Sequence, residues 1–491
     1  VGGCASTEEE FGARFNICNC DHTMIRAMPV IEELDLAGCG LHYLEADSGY
    51  VSAFYDDSPA WAQFFSTEQT LDGLARSYPS AVDGYRRYLR DALPVARLIV
   101  DMARSRATAP GLLAGAAKRA GQGAARLLRW SRQSMTSVLG RYFDDWRMVM
   151  PAAATGPTVW GVSPDAAGTG LAAALYATRH LVRTGRPVGG SGALTDAVAR
   201  RFLAVGGELR CNAAVGQVTT AGGRVSGVRL TDGTGIAADT VVTACDPARV
   251  LVDWLDDPPP RARRLIESWR SSPPVDGYES KVDAVLGRRP AYRCFSALEQ
   301  AHPGIDFYGS TVAVVPAPED LAEAHSRRQQ GLVADRPTLL VNVPTVLDPS
   351  LTADDSHVLS LETLFTPYAL PGGWPGSKEP QRWIDLWATL LEPGSLDLRE
   401  HRAMTPDRYE SEFFMHRGHT PSFGGSPLAA LIGRPRPTTR YRAPVDGLYL
   451  CGAATFPGAG VFGASGRNAA RAVLADRAPR SLLPGQAGRR P

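Results

Sequence analysis

Residues 458–463, Gly458-Ala459-Gly460-Val461-Phe462-Gly463, satisfy G-x-G-x-x-G. Glycines at that spacing let a ligand approach the backbone closely, because no Cβ stands in the way. If a helix starts just beyond them, its first N–H groups can hold a phosphate or another anion. A second group with chemical potential is Cys18-Asn19-Cys20-Asp21-His22. On a strand, Cys18, Cys20 and His22 would share one face, which suits a metal. No fourth ligand lies nearby, so buried thiols beside a pocket account for the group better, and no metal is expected. H-E-x-x-H, Walker A and G-x-S-x-G motifs do not occur. Gly463-Ala464-Ser465-Gly466 lacks the placement of glycines that a nucleophile elbow needs.

The elements around the glycines limit what they can mean. "GLYLCGAA" reads as a short apolar strand leading in, and "GASGRNAARAVLAD" as a helix leading out. A complete dinucleotide fingerprint also needs a second strand with an acidic residue about 20 positions on. Only one helix fits before the Pro/Gly/Arg tail of 479–491, for which disorder is expected. The motif alone therefore does not define an independent nucleotide unit, and tight helix-on-sheet packing through Gly and Ala explains it too.

Earlier in the chain, "RPVGGSGALTDAVARRFLAVGG" reads as a glycine-rich turn entering a helix. Turns at Gly222-Gly223 and Asp232-Gly233 then punctuate runs rich in β-branched residues, predicting a β-meander that ends in a buried strand, 240–244. Residues 60–105 carry helical periodicity, while 1–50 read as short strands and turns. Strands are predicted at "TLLVNVP" and "HVLSLETLF", and a helix at "EPQRWIDLWATLL". From Pro110 to Arg132, apolar residues including Leu127, Leu128 and Trp130 fall on one side of a helix and Lys118, Arg119, Arg126, Arg129 and Arg132 on the other. A core-packed helix with a solvated basic face and a helix resting on a membrane surface both fit that pattern.

The 491 residues suit two or three domain-sized cores, and 44% apolar residues are enough to fill them. Lys+Arg 52 against Asp+Glu 51 argues against general nucleic-acid binding. No apolar run reaches 18 residues, and 8 scattered cysteines suggest reduced thiols in the cytoplasm.

Taken in order, three segments resemble the flavin-dependent amine oxidase/phytoene desaturase superfamily, nearest to its phytoene dehydrogenase-like branch, which includes carotenoid isomerases. They are "VGGCASTEEEFGARFN", the central "GVSPDAAGTGLAAALYATRHLV" and "RPVGGSGALTDAVARRFLAVGGELRCNAAV", and the C-terminal "RPRPTTRYRAPVDGLYLCGAATFPGAGVFGASGRNAA". The one small departure is Ala459, where the family usually has a further glycine. The resemblance implies a mixed α/β flavoprotein fold of the two-dinucleotide-binding type. Its discontinuous FAD-binding domain would comprise 1–50, 186–285 and 425–478. A substrate domain of helices and a mixed sheet would comprise 51–185 and 286–424. The family's phosphate-binding G-x-G-x-x-G precedes the Gly-Gly turn at which this chain begins. A first βαβ unit of roughly 30 residues or more is thus expected to be absent. A start codon read too late, a fragment and a true loss of the unit all give that pattern.

The resemblance also assigns roles. Gly2 and Gly3 would lie against the phosphates or ribitol of FAD. Val215 would pair through its backbone with the adenine edge, and Ala244 and Asp246 would pass the cofactor at a strand end. Gly452 and Ala453 would turn over the pyrophosphate and ribityl chain. Gly460, Val461 and Gly463 would sit at the flavin pyrimidine, where the helix N-terminus favours negative charge at N1–C2=O. Asp21 and His22 are the candidate acid–base pair, and His416 and His419 could line the substrate cavity. The implied reaction is desaturation of a long apolar polyene, terpenoid or related lipid, by hydride transfer to flavin N5 and loss of a proton from the neighbouring carbon. The substrate would come from a membrane that the protein touches peripherally. Isomerisation or saturation of a polyene is the alternative outcome, and a non-catalytic remnant without FAD the alternative class.

Overall fold

A computed structural model describes residues 1–18, 20–105, 110, 117, 123–272, 275–420, 422–423, 430 and 432–478. The chain divides into two compact units. The first comprises Val1–Arg104, Gly115–Cys211 and Pro274–Thr420, and the second Ser105–Ala114, Asn212–Pro273 and Pro421–Pro491.

The first unit is organised by a seven-stranded mixed sheet. Its order is Leu398–Met404, Glu279–Leu286, His357–Leu364, Leu339–Asn342, Thr311–Val315, Tyr50–Phe54, Trp61–Gln63. Tyr50–Phe54 runs parallel to Thr311–Val315, and the other pairs are antiparallel. Side chains alternate across a strand, so the two faces differ in kind. On one face Val282, Ala284, Leu359, Leu361, Val312 and Val314 pack with Trp374, Trp383 and Trp387. On the other, Tyr50, Phe54, Ala313 and Val315 pack against helices Val82–Arg104, Trp146–Ala154 and Ala172–Ala177. The middle of that second face is polar, with Glu279, Lys281 and Asp283 along one strand and Lys281 directly opposite Glu362.

The expected helical character of 60–105 appears as Thr67–Ser77 and Val82–Arg104, the latter burying Tyr85, Leu89 and Ala96 as its periodicity requires. The opening 50 residues do contain a hairpin, Thr7–Glu10 with Ala13–Asn16, but also single helical turns at Met24–Ala27 and Val30–Glu33. The expected basic amphipathic helix over 110–132 lies largely outside the described residues. Its described end, Ala124–Trp130, buries Leu127 and Trp130 but leaves Leu128 46% exposed, so the apolar side is narrower than the spacing suggests. The tail from 479 also lies outside the described residues.

The second unit holds the β-meander Val215–Ala221, Arg224–Leu230, Gly235–Ala237, with Gly222 and Gly223 at positive φ in its first turn. A parallel pair, Val241–Thr243 with Leu448–Leu450, stands beside it. The first strand of that pair is not fully buried: Val242 is 47% exposed, because a two-stranded pair covers one face only. Val218, Val225, Leu251, Ile266, Leu448 and Leu450 fill the core between the meander, the pair and helix Pro260–Arg270. The C-terminal helix Ala464–Arg477 packs beside Leu448–Leu450.

Candidate functional site

In the second unit the strand Leu448–Leu450 runs into Cys451, whose N–H donates to the Thr243 carbonyl at 2.8 Å and extends the parallel pair by one residue. The chain then turns at Gly452, with φ +85°. A Cβ there would stand 2.9 Å from the Ala244 carbonyl oxygen, so the ends of the two strands meet only because residue 452 has no side chain. Thr455 closes the turn, its hydroxyl donating to the Gly452 carbonyl at 2.9 Å and also sharing a hydrogen bond with buried Ser465. Gly458, Gly460 and Gly463 all adopt positive φ, and Gly463 is the N-cap of Ala464–Arg477.

That helix begins with the features of an anion site. No side chain caps it, and its first turn carries no acidic residue. A Cβ on Gly466 would meet nothing within 4 Å. The far end is anchored: Arg442 grips Asp476 at 2.6 and 2.8 Å, and the Tyr449 hydroxyl adds a bond at 2.9 Å. Those donors hold the Asp476 carboxyl below its ordinary range. The uncapped N-terminus, the bare Gly466 and the tight Gly452 turn fit the electron-rich edge of a flavin or its diphosphate.

The other residues expected in this unit have local partners. Val215 is half-buried at the head of the meander, opposite Leu230. Asp246 caps the short helix Pro247–Arg249, accepting from the Ala248 N–H at 2.8 Å. Ala453 accepts from the Phe423 N–H at 3.1 Å, and Val461 lies in the loop before the last helix.

In the first unit Gly2 and Gly3 have φ of +92° and +57°. A Cβ on Gly2 would run into the Thr195 side chain, whereas Gly3 faces open space. The helix Gly192–Ala204 that receives Gly2 is capped from the N-terminal hairpin. The Thr7 hydroxyl accepts from the Gly192 N–H at 2.9 Å, and the Asn16 side-chain oxygen from the Ser191 N–H at 2.8 Å.

Asp21 pairs with buried Arg186 at 2.8 Å and accepts from the Thr311 hydroxyl. Arg186 also donates to Asn342, so the carboxylate is tied to the sheet. His22 is fully buried, its Nδ1 3.0 Å from the Tyr43 hydroxyl, and burial lowers its pKa to about 4. Cys18 and Cys20 separate: the Cys18 thiol donates to Glu279 at 3.7 Å, while Cys20 accepts from Asn16 at 3.3 Å. Among the described residues no three His, Cys, Asp or Glu side chains gather as a metal site. His416 stands 3.5 Å from Glu410, and the His419 ring is edge-on to Tyr278.

Sequence reasoning missed the polar middle of the sheet. The carboxyls of Glu279 and Glu362 meet in a side-chain hydrogen bond. Burial raises the pKa of both, and the neighbouring charge of Glu279 raises that of Glu362 further. Beside the pair, buried Lys281 is paired with Asp283 at 2.5 Å, and Asp283 with Arg402 at 3.2 Å. The only sign in the sequence is the alternation Glu279, Lys281, Asp283 with Ser280, Val282, Ala284, which reads as a solvated strand face until the register is known.

Residues 61–276 match the family model for flavin containing amine oxidoreductases. The chain is 25% identical over 483 residues to a lycopene-forming phytoene desaturase of Pantoea ananas, spanning 96% of this chain and 92% of that protein. These matches support a phytoene-desaturase-like member of the flavin amine oxidase superfamily.

One component of the limonene dehydrogenase of Castellaniella defragrans is 25% identical over 97% of this chain and 88% of its own. The rat pyridine nucleotide-disulfide oxidoreductase domain-containing protein 2 is 32% identical over 302 residues, 59% of this chain. There the chain spans about half of the relative's length, 50%. Putrescine oxidase bound to putrescine aligns with a TM-score of 0.58 at 16% identity, covering 97% of this chain and 91% of that one. An oxidoreductase of Methanosarcina mazei aligns at 0.57 and 12%, covering 96% and 91%. Those structures show the fold, a mixed α/β architecture of the flavin-binding kind, and the family implies a flavin cofactor. Among the described residues no helix is long and apolar enough to cross a membrane.

Proposed function

We propose that this chain is an FAD-dependent oxidoreductase that introduces a C=C bond into a long apolar polyene, terpenoid or related lipid. The observation that carries the reading is the uncapped, glycine-bordered start of helix Ala464–Arg477 in a phytoene-desaturase-like chain. Bound flavin supplies a hydride acceptor. The protein's contribution follows from its own residues. Gly452 and Gly463 hold the turn and the helix start in conformations that L side chains rarely adopt. The first N–H groups of the helix supply fixed positive charge to an anionic edge without rearranging. Val215, Ala244 and Asp246, Ala453, Gly460 and Val461 of the same unit are proposed as further cofactor contacts.

Desaturation also releases a proton from the carbon next to the one that loses hydride. Asp21 and His22 are one proposed acceptor site. Glu279 and Glu362 form the other, because two hydrogen-bonded carboxyls whose pKa burial raises can exchange a proton with little change in geometry. Anaerobic incubation with phytoene or a shorter polyene and an artificial acceptor tests the reading. A red-shifted product with one more conjugated double bond supports desaturation. A product of unchanged oxidation level supports isomerisation instead.

A further inference from the structure

We propose that a cavity of about 30 Å³ in the first unit binds the carboxylate group of an aliphatic acid. Two arginines line it: Arg186, on a short strand paired with Tyr43–Leu44, and Arg179, in the turn Thr178–His180. Arg186 is only 5% exposed. Its Nε donates to Asp21 at 2.8 Å, and its Nη2 donates to Asn342 and, at 3.4 Å, to Thr311. Its Nη1 is buried and has no hydrogen-bond partner among the described residues. A charged donor left unpaired away from water is costly, so an acceptor belongs beside Nη1. Arg179 is half-buried, its guanidinium carbon 4.5 Å from the centre of the Tyr50 ring and 5.0 Å from that of Tyr176. Two aromatic rings hold the plane of the group without meeting its N–H donors.

The acids on the cavity wall are already held. Asp21 accepts from Arg186 and from the Thr311 hydroxyl, and Glu45 bridges Arg26 and Arg183. Asp47 accepts from the Asp306 N–H at 3.3 Å. Size and lining then select the occupant. The space admits a group of about three heavy atoms. A carboxylate has that size and presents two coplanar oxygens, the pattern that guanidinium donors match. Phosphate is larger and needs donors on every side, whereas Leu44, Val182 and Leu347 make part of this wall apolar. Those three side chains suit the methylene groups next to a carboxylate instead. The inference does not depend on flavin occupancy.

The test titrates the full chain with sodium butyrate and with sodium octanoate while its thermal midpoint is followed, sodium chloride keeping the ionic strength constant. Both acids should raise the midpoint along a saturable curve, as a ligand of the folded state does. Equal apparent affinities would identify a short free acid as the ligand, and tighter octanoate the end of a longer chain; either supports the site. Arg179→Gln should weaken the apparent affinity about tenfold, the effect of losing one charge-assisted hydrogen bond. Arg179→Lys should recover part of the loss. If Arg179→Gln fails to fold by circular dichroism, Ala46→Phe, which puts a ring on the cavity wall, should abolish the shift instead. No shift with either acid would leave the cavity to water and overturn the proposal. An equal shift with sodium chloride, a larger one with inorganic phosphate, or a shift that neither Arg179→Gln nor Ala46→Phe changes would overturn it as well.

Discussion

Gly452 marks the point where the two strands of the parallel pair end against each other. Its positive φ and the 2.9 Å approach to the Ala244 carbonyl leave no room for a methyl group. Gly452→Ala should cost about 1–3 kcal/mol, seen as a lower denaturation midpoint and as faster loss of flavin. The carboxyls differ in the same testable way. Glu362→Gln removes one titrating carboxyl but keeps the shape of the pair, so it should reduce turnover and flatten its pH profile while the protein still folds. Asp21→Asn leaves the Arg186 charge without its partner among buried groups. Its main effect should therefore be on stability, by about 3 kcal/mol as for a broken buried pair. If Asp21→Asn folds normally and abolishes the pH dependence while Glu362→Gln does not, the proton goes to Asp21.

Helix Ala464–Arg477 is the element on which a cofactor reading and a packing reading part company. An acid in a first helical turn normally stabilises by about 0.3–1 kcal/mol. A Cβ on Gly466 would meet nothing within 4 Å, which makes Gly466→Asp the test substitution. Tight packing alone predicts a neutral or slightly more stable protein with unchanged ligand behaviour. The flavin reading predicts the same fold with at least tenfold weaker FAD binding, measured by fluorescence titration, because the new carboxylate competes for the helix N-terminus. This element was legible in the sequence: apolar strand, glycines and an alanine-rich helix follow one another without interruption. The meander was legible for the same reason, since its turns carry Gly222-Gly223 and Asp232-Gly233. The seven-stranded sheet was only partly so. Tyr50–Phe54 pairs with Thr311–Val315 across 261 positions (Tyr50 with Thr311), and no local periodicity reports such a partner. For Asp246 the resemblance points to the cofactor, and the structure adds a capping bond on its carboxylate.

At the scale of the whole molecule, buried titratable groups set how stability varies with pH. Burial lowers both His22 and His180 to about 4, below the usual 6.5. The unfolded chain therefore binds more protons between pH 6.5 and 4, and stability must fall as pH drops through that window. Each histidine contributes on the order of 3 kcal/mol, an upper figure. The raised carboxyls act in the opposite sense: Glu279 and Glu362 hold protons when folded that the unfolded chain releases above about pH 4.5, so they cost stability as pH rises. Chemical denaturation from pH 4 to 8 should show a loss on the acid side that His22→Phe reduces, and a gain on the neutral side in Glu362→Gln. The polar middle of the sheet was invisible in the sequence because its charges become buried only when Glu279–Leu286, His357–Leu364 and Leu398–Met404 pair.

The flavin itself is the most direct test. Purified chain, as isolated or after titration with FAD, should show the absorbance of oxidised flavin, with FAD recovered on denaturation and affinity weakened by Gly466→Asp. Folded protein that stays colourless and leaves added FAD unbound at every concentration would contradict the account.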